Sequence, residues 1–344
     1  METKILERIK RGLLEKRRNL INWLDTASNA GRQVRLGPAD ETAVHAHIQV
    51  LDAALEMTEN ETLGRCKVCH GRVGSERLQL DYTCCVCIDH YSAEERRQLE
   101  SELELSQVVQ RAFLPQVVPE IPGLDIAVFS RPAQIVGGDY FDFLRFRDGV
   151  PGLAIADVAG HGLSTSLLMA SVQTVLRTLA PGTDSPSALA RRVNRFFLHN
   201  VQMTTFVTMF LARLDPMART LDYCNAGHNP PLLLRRHENA TGPACWLQPT
   251  AAAVGLTEES RISSETIDLG GRDTLVLYTD GVTEAVNLQR EEFGRQRLAA
   301  LMERESDSTA QEMVEALRGS LQEFVGDESL ADDTTIVVCR VATG

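Results

Sequence analysis

Apolar positions recur with a helical period in the first quarter of the chain, then give way to strand-length runs after residue 123. Ile5, Ile9, Leu13, Leu20 and Leu24 mark one helix over 3–25. Val44, Ile48, Leu51 and Leu55 fall at i, i+4, i+7 and i+11 of a second, running from about Asp40 to about Thr58. Gly31, Gly37 and Pro38 separate the two, which predicts an antiparallel hairpin. A third helix is expected over 92–114, where Ser92 and Glu95 stand at capping-box spacing and Leu105, Val109 and Ala112 share a face. Pro115, Pro119 and Pro122 end it. This helix is either a linker packed on its neighbour or a coiled-coil dimer contact; it is shorter than the three to four heptads that would decide.

Strand-like runs follow at Leu124–Phe129, Leu153–Val158, Phe206–Leu214, Leu221–Cys224, Pro231–Leu234, Ile262–Leu269, Thr274–Tyr278 and Thr335–Val341. Helical patterns fall at Gly162–Leu179, Pro186–Asn200, Arg295–Glu303 and Thr309–Val325. Successive strands with short turns, and helices arriving in pairs, predict an α+β domain of antiparallel sheets with helices packed outside. The expected organisation is a helical hairpin with a cysteine cluster over 1–91, a linker or switch helix over 92–116, and the α+β domain over 117–344.

Composition narrows the class. The chain has 344 residues, 43% hydrophobic and 24% charged, as a water-soluble globular protein has. No run approaches the ~20 apolar residues that span a bilayer. Acids sit in the N-terminal Met-Glu-Thr-Lys-Ile-Leu-Glu-Arg where a signal peptide would be apolar, so the expected location is cytoplasmic, with no membrane partner. A net charge of -12 argues against direct nucleic-acid binding.

Five of the eight cysteines lie between 66 and 87. Cys66-Lys-Val-Cys69 and Cys84-Cys85-Val-Cys87 make two CxxC pairs with fourteen residues between them. Two such pairs place four thiolates around one tetrahedral, structural Zn²⁺, with Cys66, Cys69, Cys84 and Cys87 as ligands, Cys85 surplus and His70 an alternate. The surplus thiol also admits a redox-sensor reading, in which oxidation releases the zinc. The hairpin, Leu63-Gly64-Arg65-Cys66-Lys67-Val68-Cys69-His70, Arg77-Leu78 and the second CxxC together resemble the DksA/TraR zinc-finger family over roughly the first ninety residues. That resemblance implies the fold and the zinc. Members insert an acidic hairpin tip into the secondary channel of RNA polymerase. Here the tip, Asn29 to Asp40, carries Arg32 and Arg35, with Asp40 and Glu41 its only acids. The module's expected partner is therefore RNA polymerase or another regulatory protein.

Four aspartate motifs lie far apart: Gly-Gly-Asp-Tyr-Phe-Asp at 137–142, Asp-Val-Ala-Gly-His-Gly at 157–162, Tyr-Thr-Asp-Gly at 278–281 and Ala-Asp-Asp-Thr-Thr at 331–335. An apolar run precedes the first three, so each is expected at a strand end; the fourth opens such a run. Carboxylates at strand ends with glycine beside them build oxygen-rich pockets for hard divalent cations. Asp139, Asp157, Asp280 and Asp332 would repel one another without a cation. Two Mn²⁺ or Mg²⁺ ions remove that repulsion, share a water whose pKa falls toward neutrality, and clamp a phosphoryl group for in-line attack. Gly137, Gly138 and Gly281 allow close backbone approach. The Val158 carbonyl is a further candidate ligand.

These motifs, with Arg131-Pro-Ala, Phe206-Val-Thr208, Asn225-Ala-Gly-His-Asn-Pro-Pro231 and Leu277-Tyr-Thr-Asp-Gly-Val-Thr-Glu-Ala285, resemble the metal-dependent protein phosphatases (the PPM or type 2C superfamily) in their SpoIIE/RsbU-like branch, over about 100–342. The resemblance implies an α-β-β-α sandwich and hydrolysis of phosphoserine or phosphothreonine on a protein, often an anti-sigma-factor antagonist. It implies Asp139, Asp157, Asp280, Asp332 and the Val158 carbonyl as ligands, with Asp333 behind them or exchanged with Asp332. It also implies a helix before the domain that dimerises and orders the site, hence a homodimer. Type 2C enzymes hold phosphate with an Arg near the first motif, for which Arg131 is the candidate here. They use a His just after the second motif as general acid. His161 lies further on, and is either that acid or a turn residue capping the next helix; His228 has the same two readings. The competing class is a non-catalytic adaptor, in which the zinc hairpin binds polymerase or another protein and the second domain only recognises a phospho-partner.

Overall fold

The computed structural model describes residues 9–11, 13–14, 17–18, 21, 24, 42–60, 62–71, 73, 86–133, 135–159, 163–200, 206–236, 244–257, 261–326, 330 and 332–342. Two compact units form, residues 1–105 with 198–204 and residues 106–197 with 205–344. In the first, the described residues between 9 and 24 are helical, and α1 spans Thr42–Glu59. Leu13 packs with Leu51, Ala54, Leu55 and Leu63 in one small core. Lys10 pairs with Glu59 and Arg17 with Asp52, an order of contacts that antiparallel helices produce. The expected hairpin tip at 29–40 lies outside the described residues.

Helix α2, Ala93–Phe113, begins at a closed capping box. The Ser92 N–H donates to Glu95 Oε2 at 2.8 Å and the Glu95 N–H to Ser92 Oγ at 3.2 Å. The two compact units divide inside this helix, between Leu105 and Ser106, rather than after it.

The second unit holds two five-stranded antiparallel sheets. Its strands are β1 (Leu124–Arg131), β2 (Asp139–Arg145), β3 (Pro151–Val158), β4 (Val207–Asp215), β5 (Thr220–Ala226), β6 (Leu232–Leu234), β7 (Ala244–Trp246), β8 (Glu265–Asp268), β9 (Thr274–Tyr278) and β10 (Thr334–Val341). One sheet runs β1-β10-β9-β6-β7, the other β2-β3-β4-β5-β8. Their facing sides bury Phe141, Ile155, Phe210 and Tyr223 against Leu275, Leu277, Val337 and Cys339. Helices α3 (Leu163–Leu179) and α4 (Pro186–Asn200) follow β3; the one-turn α5 (Asp280–Thr283), then α6 (Gly294–Arg304) and α7 (Ala310–Val325), follow β9. Leu298, Leu301, Met313, Leu317 and Leu321 of α6 and α7 pack on Val276, Ile336 and Val338 of the first sheet. Helix α3 contacts β2 and β3 of the second. The result is the α-β-β-α layering expected of the phosphatase domain. No described helix is long and apolar enough to cross a membrane.

Two strands differ from the sequence reading. The first aspartate motif does not follow a strand; Asp139 opens β2. That strand, Asp-Tyr-Phe-Asp-Phe-Leu-Arg, is buried along nearly its whole length, so it lacks the alternation that marks a half-exposed strand. The other, β7, has only three residues.

Candidate active site

Pairing of β2 with β3 places Asp139 directly opposite Asp157. Strand β9 ends at Tyr278, and Asp280 opens α5 just beyond it. Asp332 and Asp333 lead into β10, which pairs with β9. Both sheets therefore deliver acids to one end of the sandwich.

Those acids crowd one another. Burial, then the charges of Asp157 and Asp333, push the Asp139 carboxyl well above the usual carboxylate range. Burial, then Asp280, Asp332, Asp333 and Glu284, push Asp157 up to about 8. Burial and Glu284 raise Asp280 as well. An all-oxygen set whose members resist ionising together fits hard divalent cations, which relieve the repulsion, and does not fit the thiolate and imidazole preference of zinc.

Each acid is aimed. Asp139 Oδ2 accepts from Thr279 Oγ1 and from Thr335 Oγ1, each at 2.7 Å. Asp333 spends both oxygens on backbone: Oδ1 accepts from the Ala133 N–H at 2.8 Å and Oδ2 from the Gly138 N–H at 2.6 Å. Asp332 is exposed at the mouth of the site. Two glycines are required by close approach. A Cβ on Gly281 would lie 2.0 Å from the Asp333 carbonyl oxygen, and one on Gly138 2.9 Å from the Val158 carbonyl oxygen. The latter carbonyl thus lies beside the acids. Arg131 ends β1 opposite Thr334 and is exposed at the rim. His161 lies outside the described residues.

Asp142, the second acid of the first motif, has a different place. It is 1% exposed and takes a bidentate bond from Arg177 of α3, at 2.7 and 2.9 Å, while Tyr140 donates to it. It ties α3 to β2.

Sequence reasoning missed five contributors. Glu284 stands one helical turn beyond Asp280, a spacing that would have found it. Thr279 and Thr335 neighbour the ligand candidates but look like ordinary strand residues. Gln110 of α2 donates through Nε2 to the Gly137 carbonyl and accepts the Gly137 N–H through Oε1 at 3.1 Å. Gln107, one turn earlier on the same face, donates to the Ile135 carbonyl at 3.2 Å.

The cysteine module forms a second candidate site within the first unit. One ligand atom each from Cys66, Cys69, Cys87 and His90 lie within 4.8 Å of one another. Cys69 and Cys87 sulfurs are 3.9 Å apart, close to the ~3.8 Å that two Zn–S bonds of ~2.3 Å subtend in a tetrahedron. The N–H groups of Val68 and Cys87 donate to Cys66 Sγ at 3.4 and 3.3 Å. Against burial, such backbone bonds bring the Cys66 thiol down to about 6. His90, not His70, supplies the imidazole of this group. Cys84 and Cys85 lie outside the described residues.

This sandwich, with acids gathered at one end, is the PP2C-like phosphatase fold. Residues 147–342 match the family described as Stage II sporulation protein E (SpoIIE). Phosphoserine phosphatase RsbU of Bacillus subtilis is 32% identical over 248 residues, 71% of each chain. Among solved structures, the RsbU and RsbW domains of a Mycobacterium tuberculosis protein match at TM-score 0.56 and 27% identity, over 67% of this chain and 63% of that one. The SiaA-PP2C domain of Pseudomonas aeruginosa matches at TM-score 0.63 and 21% identity, over 72% of this chain and 99% of that one. The chain belongs to the SpoIIE family, and with it to the protein serine/threonine phosphatases.

Proposed function

We propose that the chain removes phosphate from a serine or threonine of a partner-switch protein, an anti-sigma-factor antagonist, using two Mn²⁺ or Mg²⁺ ions. The convergence of Asp139, Asp157, Asp280 and Asp332 from both sheets carries this reading. RsbU, the relative named above as a phosphoserine phosphatase, supports the substrate class.

Asp139, Asp157, Asp280, Asp332 and the Val158 carbonyl would hold the ions. Bound there, the ions would supply Lewis-acid chemistry, lowering the pKa of a coordinated water and offsetting phosphoryl charge. Thr279 and Thr335 fix the Asp139 carboxylate so that its other oxygen faces the cluster. Asp333 keeps the Ala133–Gly138 segment folded against the acids. Arg131, exposed at the end of β1, would be the phosphate-holding candidate. Burial pulls the His228 pKa down to about 4, which favours the neutral ring and a structural over an acid role. Purified protein is expected to release phosphate from a phosphoprotein only with Mn²⁺ or Mg²⁺, and Asp280→Asn to stop it. Turnover in EDTA sinks this reading, and phospho-partner binding without turnover leaves the adaptor.

The N-terminal module is proposed to gate the site. Helix α2 presents opposite faces: Gln107 and Gln110 reach the 135–137 loop, while Leu105 and Val109 are 62% and 47% exposed. An exposed apolar stripe suits a second copy of the chain, and hence a homodimer. One structural zinc on Cys66, Cys69 and Cys87 would stabilise the module on the order of 10 kcal/mol. Spacing offers Cys84 as fourth ligand and geometry offers His90. Cobalt substitution separates them, because a four-thiolate site loses a sulfur charge-transfer band in Cys84→Ser, whereas a three-thiolate site changes its ligand field in His90→Ala. Zinc-free wild type with an unchanged melting profile would remove the structural role.

A further inference from the structure

The Asn225–Pro231 loop crosses from β5 in one sheet to β6 in the other, over the end of the sandwich that carries the acids. Its shape is built in. Asn225 donates through Nδ2 to the Leu247 carbonyl at 3.0 Å and accepts the His228 N–H through Oδ1 at 2.8 Å. Gly227 takes φ 69° where a Cβ would lie 2.9 Å from the Ala253 nitrogen. The Tyr278 hydroxyl donates to the Pro230 carbonyl at 3.1 Å. These contacts turn the His228 side chain inward, and it is 3% exposed.

The ring reaches the second sheet, and its loop leads into the first. Nδ1 is 3.0 Å from Thr208 Oγ1 in β4. Thr208 is the direct cross-strand partner of Asp157, and its hydroxyl lies 3.4 Å from the Asp157 carbonyl oxygen. Nε2 is buried without a hydrogen-bond partner among the described residues. The loop that carries the ring is pinned to β9 by the hydroxyl of Tyr278, two residues before Asp280, on the Pro230 carbonyl. The Thr208 hydroxyl has one hydrogen; spent on the Asp157 carbonyl, it leaves the oxygen to accept from the ring at Nδ1, so ring, hydroxyl and Asp157 carbonyl form one chain.

We infer that His228 is a positioning residue that braces the two sheets across the metal-bearing end, holding the Asp157 and Asp280 strand ends at a fixed separation. This rests on the metal reading proposed above and adds a residue to it. The brace is neutral and transfers no proton.

The test uses the full chain as wild type, His228→Ala, His228→Asn and Thr208→Val, with melting curves as a check on folding. Mn²⁺ binding is measured by calorimetry, and amide hydrogen exchange is followed in the metal-free protein. Loss of such an outer partner costs metal affinity about 10- to 100-fold. Thr208→Val and His228→Ala are expected to show that loss, with faster exchange at 156–158 and 278–280. His228→Asn keeps an amide near the Nδ1 position and should recover most of the affinity. Where His228→Ala fails to fold, Thr208→Val decides. Thr208→Val with wild-type affinity and wild-type exchange overturns the brace. So does loss in His228→Asn of a pH–rate limb that Thr208→Val retains, which would make the ring a proton donor. A wild type that takes up no Mn²⁺ refutes the metal reading instead, and exchange in the metal-free protein still decides the brace.

Discussion

Asp157→Asn is expected to abolish turnover and, at pH 8, to raise the melting temperature of the metal-free protein. The two effects share one cause. Burial and the surrounding acids raise the Asp157 carboxyl to about 8, so the folded state holds its proton more tightly than the unfolded chain, where the value is near 3.8. Between those values the native state binds more protons, and stability falls as pH rises. The slope is at most ~1.4 kcal/mol per pH unit for one proton. It is smaller here because Asp157 is only partly buried and solvent screens it. Asparagine has no proton to lose, so wild type and variant should melt together near pH 4 and diverge toward pH 8. Adding Mn²⁺ at pH 8 should raise the wild-type melting temperature and leave the variant's unchanged. Turnover should drop on the order of a thousand-fold or more, as when a preorganised charge-stabilising group is removed. A variant that melts below wild type in EDTA at pH 8 would show that the crowding is not repulsive.

Gln110→Ala is expected to cost activity without unfolding the domain. The amide closes two bonds to Gly137, and Gly137 leaves no room: a Cβ there would sit 2.3 Å from Asp333 Oδ2. Losing two backbone-directed bonds at about 1 kcal/mol each permits up to ~30-fold in rate if the loop then drifts. The loss should fall on kcat, since Gln110 lies behind the loop. Val109→Glu, on the opposite exposed face, leaves these bonds intact; it should lower activity only where a second copy presses on that face, and light scattering would then show a monomer. Residues 115–344 alone lack Gln110 and should behave as Gln110→Ala. Full activity in that fragment would separate α2 from the site.

Much of this architecture was legible because its signals are local. The α7 boundaries follow from Thr309 and Glu312, which close a capping box, and the buried strand Thr274–Tyr278 is a continuous apolar run between polar turns. The first and third aspartate motifs were legible because they couple an acid to glycines, Gly137, Gly138 and Gly281, that close approach requires. What was not legible depends on distance in the chain. Thr335 reads as a strand threonine until the fold sets it 2.7 Å from an Asp139 oxygen, 196 residues away. Gln110 is one glutamine in a polar helix, and nothing local marks it as the residue facing Gly137. His90 stands three residues past Cys87 and escaped because paired CxxC spacing offered a complete set of four without it.

The placement of β1 bears on how the enzyme is made. It is the first strand of the domain, lies at the edge of its sheet, and pairs with β10, the last. During synthesis β2 to β5 and β8 emerge with their neighbours and can pair early, so Asp139 and Asp157 meet on the ribosome. The first sheet closes around Asp280 and Asp332 only when β10 enters between β1 and β9. Long-range pairing of this kind is slow and leaves edges open meanwhile. A nascent chain therefore holds only part of the acid cluster until β10 has been made. Truncation before Thr334 would take β10 out of the first sheet, leave β1 without its partner strand, and spare the pairings of the second sheet.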